Sequence, residues 1–264
     1  WDFPSLAVLD RHLPVFCPPE PLLLYGLRRL GFDDVRWLEP FVLHTLDGLR
    51  LIPTPSRNRQ VLECGLVVQD ATGTLLNQVD TFLAPEDIER LHQEVGPLDV
   101  HLAMYASQHF GIFESQRANT AALYAVNLRT ALQLAARCVV PASAGFRFVD
   151  DLGWLNAHVF PVTPQQFVAD LQRSNPALRT AIMQPGDVLC LEQESISLRQ
   201  QASPFVRTLQ DDTHLLAYDA TVSIPPLVDT NPAGYGQRGM EELVRGVLEQ
   251  GLLQYLQQGV GNGD

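Results

Sequence analysis

Basic residues are scarce in this chain: 18 Lys and Arg stand against 30 Asp and Glu, for a formal net charge of −12. A surface that negative repels phosphate backbones and anionic lipid heads, which argues against nucleic-acid or membrane-surface binding. Long apolar runs are missing too. The richest, Pro21-Leu22-Leu23-Leu24-Tyr25-Gly26-Leu27, breaks at Arg28-Arg29, far short of the ~20 residues that a membrane helix needs. The four cysteines, Cys17, Cys64, Cys138 and Cys190, form no C-x-x-C pair, so spacing builds neither a zinc ribbon nor an iron–sulfur site. Each has apolar neighbours, which suits buried thiols in a reducing compartment, and the cytoplasm is the default expectation. There is no G-x-S-x-G elbow, no G-x-x-x-x-G-K-[ST] loop and no G-x-G-x-x-G after a strand, so serine hydrolases, P-loop enzymes and simple dinucleotide enzymes lose ground. An initiator Met is also lacking. The chain opens on Trp1-Asp2-Phe3-Pro4 and runs straight into globular sequence, without a capping signal, which leads us to expect residues upstream.

What is present is a globular composition, 46% hydrophobic and 18% charged over 264 residues, enough for one large α/β domain with or without an appendage. Short units come first: a helix over 5–9, a buried strand over 13–17, a helix over 20–30 stopped by Gly31, and a strand over 35–38. A hairpin over 41–52 has Asp47-Gly48 as its turn signal. A strand over 61–70 and its antiparallel partner over 74–80 are joined at Ala71-Thr72-Gly73. A helix over 85–95, a buried strand over 98–105, a long Ala/Leu-rich helix over 119–136 and a strand over 138–141 follow. Beyond Ser195 the pattern weakens to a strand around 214–222 and a helix over 239–256. Hairpins that give way to strand–helix–strand units suit a layered α/β or α+β domain. Residues 1–194 read as that domain, and 195–264 as an extension that completes it or leads to another.

Three side chains are candidates to carry chemistry. Asp80 closes the apolar strand Thr74-Leu75-Leu76-Asn77-Gln78-Val79-Asp80, where a carboxylate can project into a cleft from a rigid backbone as a metal ligand, or cap the turn that follows. Glu63 lies within the apolar run Val61-Leu62-Glu63-Cys64-Gly65-Leu66-Val67-Val68, where a charge is paired, liganded or wet. On an antiparallel partner it would face the same cleft as Asp80, and two carboxylates favour iron or manganese over a thiolate-type zinc site. Among the histidines, His109 sits in a small polar loop after a buried strand, the usual place for a site residue. His158 is the alternative, and His101 reads as a satisfied core histidine. No H-x-H spacing supplies a self-sufficient metal site.

The order of segments resembles the metallo-β-lactamase fold superfamily, in the branch of the L-ascorbate-6-phosphate lactonase and the hydrolase-like domain of CMP-N-acetylneuraminate hydroxylase. Trp1-Asp2-Phe3-Pro4-Ser5-Leu6 resembles the residues just after that branch's H-x-H-x-D-H loop, with Leu13-Pro14-Val15-Phe16 and Leu30-Gly31-Phe32-Asp33-Asp34-Val35 as the continuation. Leu75-Leu76-Asn77-Gln78-Val79-Asp80 resembles the strand that delivers a metal-binding Asp. Cys138-Val139-Val140-Pro141-Ala142-Ser143-Ala144-Gly145-Phe146 resembles a late segment where a last His ligand often sits, although here Ser143 and Ala144 stand there. The resemblance implies a four-layer αββα sandwich that is N-terminally incomplete, and a divalent metal, zinc or iron with manganese as a further option. It implies Asp80 as a ligand, Glu63 substituting for a mid-sheet His, and His109 at the substrate. The activity implied is metal-dependent hydrolysis of a small molecule (a lactone, ester or phosphoester). An iron-dependent oxygenase is the alternative, because a carboxylate substitute is similar to the di-iron oxygenases on this fold. A non-catalytic degenerate member is the third reading. Glu63, Asp80 and the loops over 107–111 and 142–145 are expected on one rim.

Overall fold

A computed structural model describes residues 3–57, 62–78, 80–106, 120–143, 148, 150, 156, 162–192, 195–206, 234 and 236–259. The chain divides into two compact units, 1–39 with 226–264, and 40–225.

The first unit begins with α1 (Phe3–Ala7), β1 (Val15–Cys17), α2 (Pro21–Arg29) and β2 (Val35–Trp37). Pro21 pre-sets the first turn of α2, and the Glu20 carboxylate caps it by accepting the Leu23 N–H at 2.6 Å. Gly31, with φ of +92°, lets the chain leave the helix in the left-handed region. β1 and β2 pair in parallel, and Cys17, Leu27, Leu30 and Phe32 close a small core between strand and helix.

The second unit holds β3 (His44–Leu46), β4 (Leu49–Thr54), β5 (Gly65–Gln69), β6 (Thr74–Asn77), α3 (Pro85–Val95), β7 (Val100–Met104), α4 (Thr120–Leu134), β8 (Cys138–Ser143), α5 (Pro164–Ser174), β9 (Arg179–Thr180), β10 (Val188–Glu192) and β11 (Ser195–Arg199). β3 through β9 form one seven-stranded sheet in chain order, antiparallel from β3 to β6 and parallel from β6 to β9. The β3–β4 turn uses Asp47 and Gly48, both at positive φ, as the hairpin signal demands. Pro53 is accommodated inside β4 because β3 ends at the Leu51 pairing, and Phe41 N donates to the Pro53 carbonyl at 2.8 Å.

Alternation along the strands sends one set of side chains to each face. Ile52, Val67, Leu76 and Val139 face Leu91, Leu134, Phe167 and Leu171 from the three helices. On the other face Val100, Cys138 and Val140 meet Ile196, Leu189 and Leu191 of the antiparallel β10–β11 pair. The unit is therefore a mixed α/β fold with helices on one face of a large sheet and a second sheet on the other. The fold class expected from sequence is the one observed. The last element of the chain, α6 (Gln237–Gly259), returns to the first unit, where the Tyr25 hydroxyl donates to Glu249 at 2.5 Å.

Two expectations need adjusting. β5 starts at Gly65, so Glu63 precedes the strand, and β6 stops at Asn77, so Asp80 lies three residues beyond it. The cause is a turn, in which Thr81 N and Oγ1 both donate to the Gln78 carbonyl, at 3.1 and 2.6 Å, and pull the chain off the ladder. α5 and the short strands β9 to β11 went unread in the sequence. The strand expected around 214–222 lies outside the described residues.

Gly65 tests the packing. A Cβ there would come within 2.6 Å of Thr54 Oγ1 and 3.0 Å of the Asn77 carbonyl, whereas one on Gly246 of α6 meets nothing within 4 Å. Gly65→Ala is expected to cost about 1–3 kcal/mol in a urea unfolding curve. Gly246→Ala is expected to be neutral or stabilising by up to ~1 kcal/mol. Equal midpoints for wild type and Gly65→Ala would contradict the strand packing described.

Candidate functional site

Parallel β6, β7 and β8 all end at the same edge of the sheet; antiparallel β5 begins there, and β4 ends there. The topology thus brings together Thr54-Pro55-Ser56, Glu63-Cys64-Gly65, the turn over 78–81, Tyr105-Ala106 and Ser143. The carboxyl edge of parallel strands is where α/β sheets place ligands, since their loops leave from a rigid base.

Asp80 sits in the turn and is exposed. Gln78, two residues before it, and Thr81, directly after it, are not. Gln78 is 2% exposed and Thr81 0%, and the Gln78 side chain spans the turn by donating from Nε2 to the Thr81 carbonyl at 2.8 Å. Gln78 N donates to the Leu102 carbonyl at 3.1 Å, which fixes the turn to β7. Continuing the β5–β6 register beyond Leu66↔Asn77 would set Glu63 opposite Asp80, although the ladder stops before reaching them. Glu63 is half-buried and accepts a hydrogen bond from Ser56 Oγ at 3.2 Å.

The far side of the turn is held independently. Arg57 N donates to the Phe82 carbonyl at 2.8 Å, and the Arg57 guanidinium grips Asp87 with Nε–Oδ2 at 2.7 Å and Nη2–Oδ1 at 2.6 Å. Asp87, on the first turn of α3, also accepts the Ala84 N–H at 2.9 Å. A buried carboxylate is tolerable when all of its demand is met in this way, and the two-point fork is specific to arginine. All 18 basic residues of the chain are arginines.

His101 lies on the helix-facing side of the sheet, in the row Leu76–His101–Val139, and is fully buried. Its Nε2 lies 2.8 Å from Gln78 Oε1. Burial pushes its pKa from the usual 6.5 down to about 3, because a charged ring would be stripped of water. The sequence reading of His101 as a core histidine thus matches its position. Its partnership with Gln78, at the foot of the Asp80 turn, was not legible, because the pairing depends on parallel register between strands 23 residues apart. His109, His158 and residues 144–147 lie outside the described residues, whereas Ser143 is half-buried, with its carbonyl 3.5 Å from Tyr105 N.

Asp80 and Glu63 are hard oxygen donors, of the kind that suits a divalent cation. Two carboxylates alone do not complete a coordination sphere. Among the described residues no group of three or more His, Cys, Asp or Glu is placed to hold a metal ion. No disulfide joins the four cysteines, and the Cys17 and Cys138 thiols are buried, with their pKa values raised by desolvation. A groove of about 750 Å³ lined by Gln184, Asp187, Gln201, Ser203, Phe205 and Val206 shares none of the strand-edge residues. Among the described residues, no helix is long and apolar enough to cross a membrane.

No protein-family model matches the chain, and no curated protein matches its sequence. Among solved structures it is similar to a possible metal-dependent hydrolase from Veillonella parvula DSM 2008, at 16% identity and a TM-score of 0.44, covering 70% of this chain and 69% of that one. It is also similar to CmlA, a diiron β-hydroxylase from Streptomyces venezuelae, at 14% identity and a TM-score of 0.45. That match covers 64% of this chain, which spans only 38% of CmlA. A third is a candidate zinc-dependent hydrolase of the metallo-β-lactamase superfamily from Thermotoga maritima, at 11% identity and a TM-score of 0.34, covering 58% and 75%. Likeness at this level carries no activity to the present chain.

The buried imidazole generates a pH prediction. Its folded pKa lies below the unfolded one, so the unfolded chain binds the extra proton, and stability falls as pH drops from 6.5 toward 3. Urea unfolding is expected to lose on the order of 1.5 kcal/mol from this group between pH 6.5 and about 5. The carboxylates with lowered pKa, Asp34, Asp70, Asp170 and Asp187, act only at lower pH. His101→Gln should flatten the slope in that window. An unchanged slope would show that His101 is not buried as a neutral ring.

Proposed function

We propose that this chain contributes the acidic part of a metal-dependent hydrolase site that acts on a small-molecule lactone, ester or phosphoester. The observation that carries the reading is the exposed Asp80 on a turn anchored at Gln78 and Thr81, at the strand edge where Glu63 also enters. A metal ligand needs a carboxylate that does not move when the cation leaves or substrate arrives, and the flanking Gln78 and Thr81 give Asp80 that rigidity. Glu63 is steered by the Ser56 hydroxyl and would provide a second oxygen. The remaining ligands would come from outside the described residues, and His109 would contact substrate or stabilise the charge that develops on it. A divalent cation held there would supply Lewis acidity and a water acidified toward neutral pH. Within that set the net charge of −12 favours the neutral lactones and esters over anionic phosphoesters on approach, and it disfavours nucleic acid.

A second reading keeps the site and changes the reaction to that of an iron-dependent oxygenase with an external electron donor. The observation favouring it is the oxygen-rich donor set, Glu63 and Asp80, together with Ser143 where the resemblance would put an imidazole. The two readings differ in metal and in oxygen demand.

The test uses the natural full-length protein. Metal analysis is expected to give stoichiometric zinc, manganese or iron, and Asp80→Asn should lower turnover of a lactone and ester panel by at least ~100-fold, the upper end of what outer-shell losses cost. Iron with reductant-dependent oxygen uptake would move the assignment to the oxygenase. Metal-free protein that is indifferent to Asp80→Asn would eliminate both.

A further inference from the structure

We propose that His101 is a positioning residue for Asp80, whose ring sets the orientation of the Gln78 side-chain amide and thereby locks the turn on which the carboxylate is carried. The lock stands on geometry alone, and only its consequence for metal binding rests on the function proposed above.

The direction of every hydrogen bond in this cluster is forced. The Thr81 carbonyl can only accept, so the group facing it at 2.8 Å is the Gln78 NH₂. That leaves the side-chain oxygen Oε1 of Gln78 facing His101 Nε2, also at 2.8 Å. A carboxamide oxygen has no proton to give, so the ring must carry its proton on Nε2, with Nδ1 bare. Nδ1 is buried and takes no hydrogen bond from the described residues. Flipping the Gln78 amide would set its oxygen against the Thr81 carbonyl oxygen and lose both bonds. The histidine tautomer and the amide orientation therefore specify one another.

Asp80 inherits this order. Residues 78 and 81 are fixed by the Gln78 amide, by Thr81 N and Oγ1 on the Gln78 carbonyl, and by Gln78 N on Leu102. Thr81 Oγ1 is also packed close to the Gly65 backbone, where a Cβ would come within 3.2 Å of it. With His101 0%, Thr81 0% and Gln78 2% exposed, no solvent competes for these bonds. An apolar side chain at 101 would fill the row between Leu76 and Val139 without the desolvation cost of an imidazole. What the imidazole adds is a proton aimed at the one side chain that spans the Asp80 turn.

The experiment compares the full chain with His101→Gln, whose side-chain N–H reaches the place of Nε2, and His101→Leu, which has no donor. In metal-free protein, His101→Leu should lower protection of the Thr81 amide from hydrogen exchange at least ~10-fold relative to other sheet amides, and His101→Gln should restore it. Mn²⁺ titration should show a 10–100-fold loss of affinity in His101→Leu, with His101→Gln near wild type. Nitrogen NMR should show the ring protonated at Nε2 and bare at Nδ1. Unchanged Thr81 protection in His101→Leu, a Gln variant no better than the Leu variant, or the opposite tautomer would each overturn the proposal. If Asp80→Asn leaves Mn²⁺ affinity intact, the metal reading fails, and the exchange arm still decides the lock. Should His101→Leu not fold, His101→Asn, whose shorter amide falls short of Gln78 Oε1, takes its place in the comparison with His101→Gln.

Discussion

The carbonyl oxygen of Gln78 accepts from both the amide and the hydroxyl of Thr81, and that closure decides where β6 ends and which way the chain goes next. Had the strand run on, Asp80 would be one more residue of the β5–β6 ladder, its carboxylate on a sheet face. Because the strand stops, the chain crosses over through α3 and returns as β7, parallel to β6, and the sheet changes from antiparallel to parallel pairing at this point. The edge where three parallel strands end and β5 begins exists because of that switch. Glu63 and Asp80, the described residues of the candidate site, sit on it.

Two clamps hold the turn from opposite sides, and they are chemically unlike. On the sheet side the bonds are between neutral groups, fully buried, and their worth lies in specificity as much as in energy. On the helix side Arg57 and Asp87 form a charged fork, with the guanidinium partly in water. The strength of that pair is partly screened, and its contribution is to anchor Phe82 and Ala84 while it satisfies a carboxylate that α3 would otherwise bury alone. An aspartate carried between two such anchors has less backbone freedom than one on an unanchored loop.

Local signals in the sequence were enough where the physics is local. Asp47-Gly48 announced its hairpin because both positions need positive φ, and Gly31 announced the end of α2 for the same reason. The apolar runs of β7 and β8 read correctly because a strand covered on both faces has no other way to look. Glu63 and Asp80 were legible as unusual carboxylates, and the sheet brings them to one edge. Their placement beyond the strand ends was not legible, since the Thr81 turn that stops β6 has neither glycine nor proline to mark it. β10 escaped notice because its residues are half-covered or exposed and show no alternation, whereas Ser195-Ile196-Ser197-Leu198-Arg199 of β11 does alternate and was a signal passed over. The partnership of His101 with Gln78 depends on parallel register, which no local pattern encodes. For His109 the sequence argument stands by itself, because that residue lies outside the described set.

The account turns on whether the strand edge carrying Asp80 and Glu63 is where a divalent cation binds. A chain with a net charge of −12 attracts cations over much of its surface, so bulk affinity alone does not locate a site. Substoichiometric Mn²⁺ added to isotope-labelled full-length protein broadens the amide signals nearest the bound ion. The account predicts broadening centred on Glu63, Thr81, Tyr105 and Ser143, and its disappearance in Asp80→Asn. Broadening centred on another acidic stretch, such as Glu86 and Glu89 of α3, with the strand-edge signals left sharp, would contradict it.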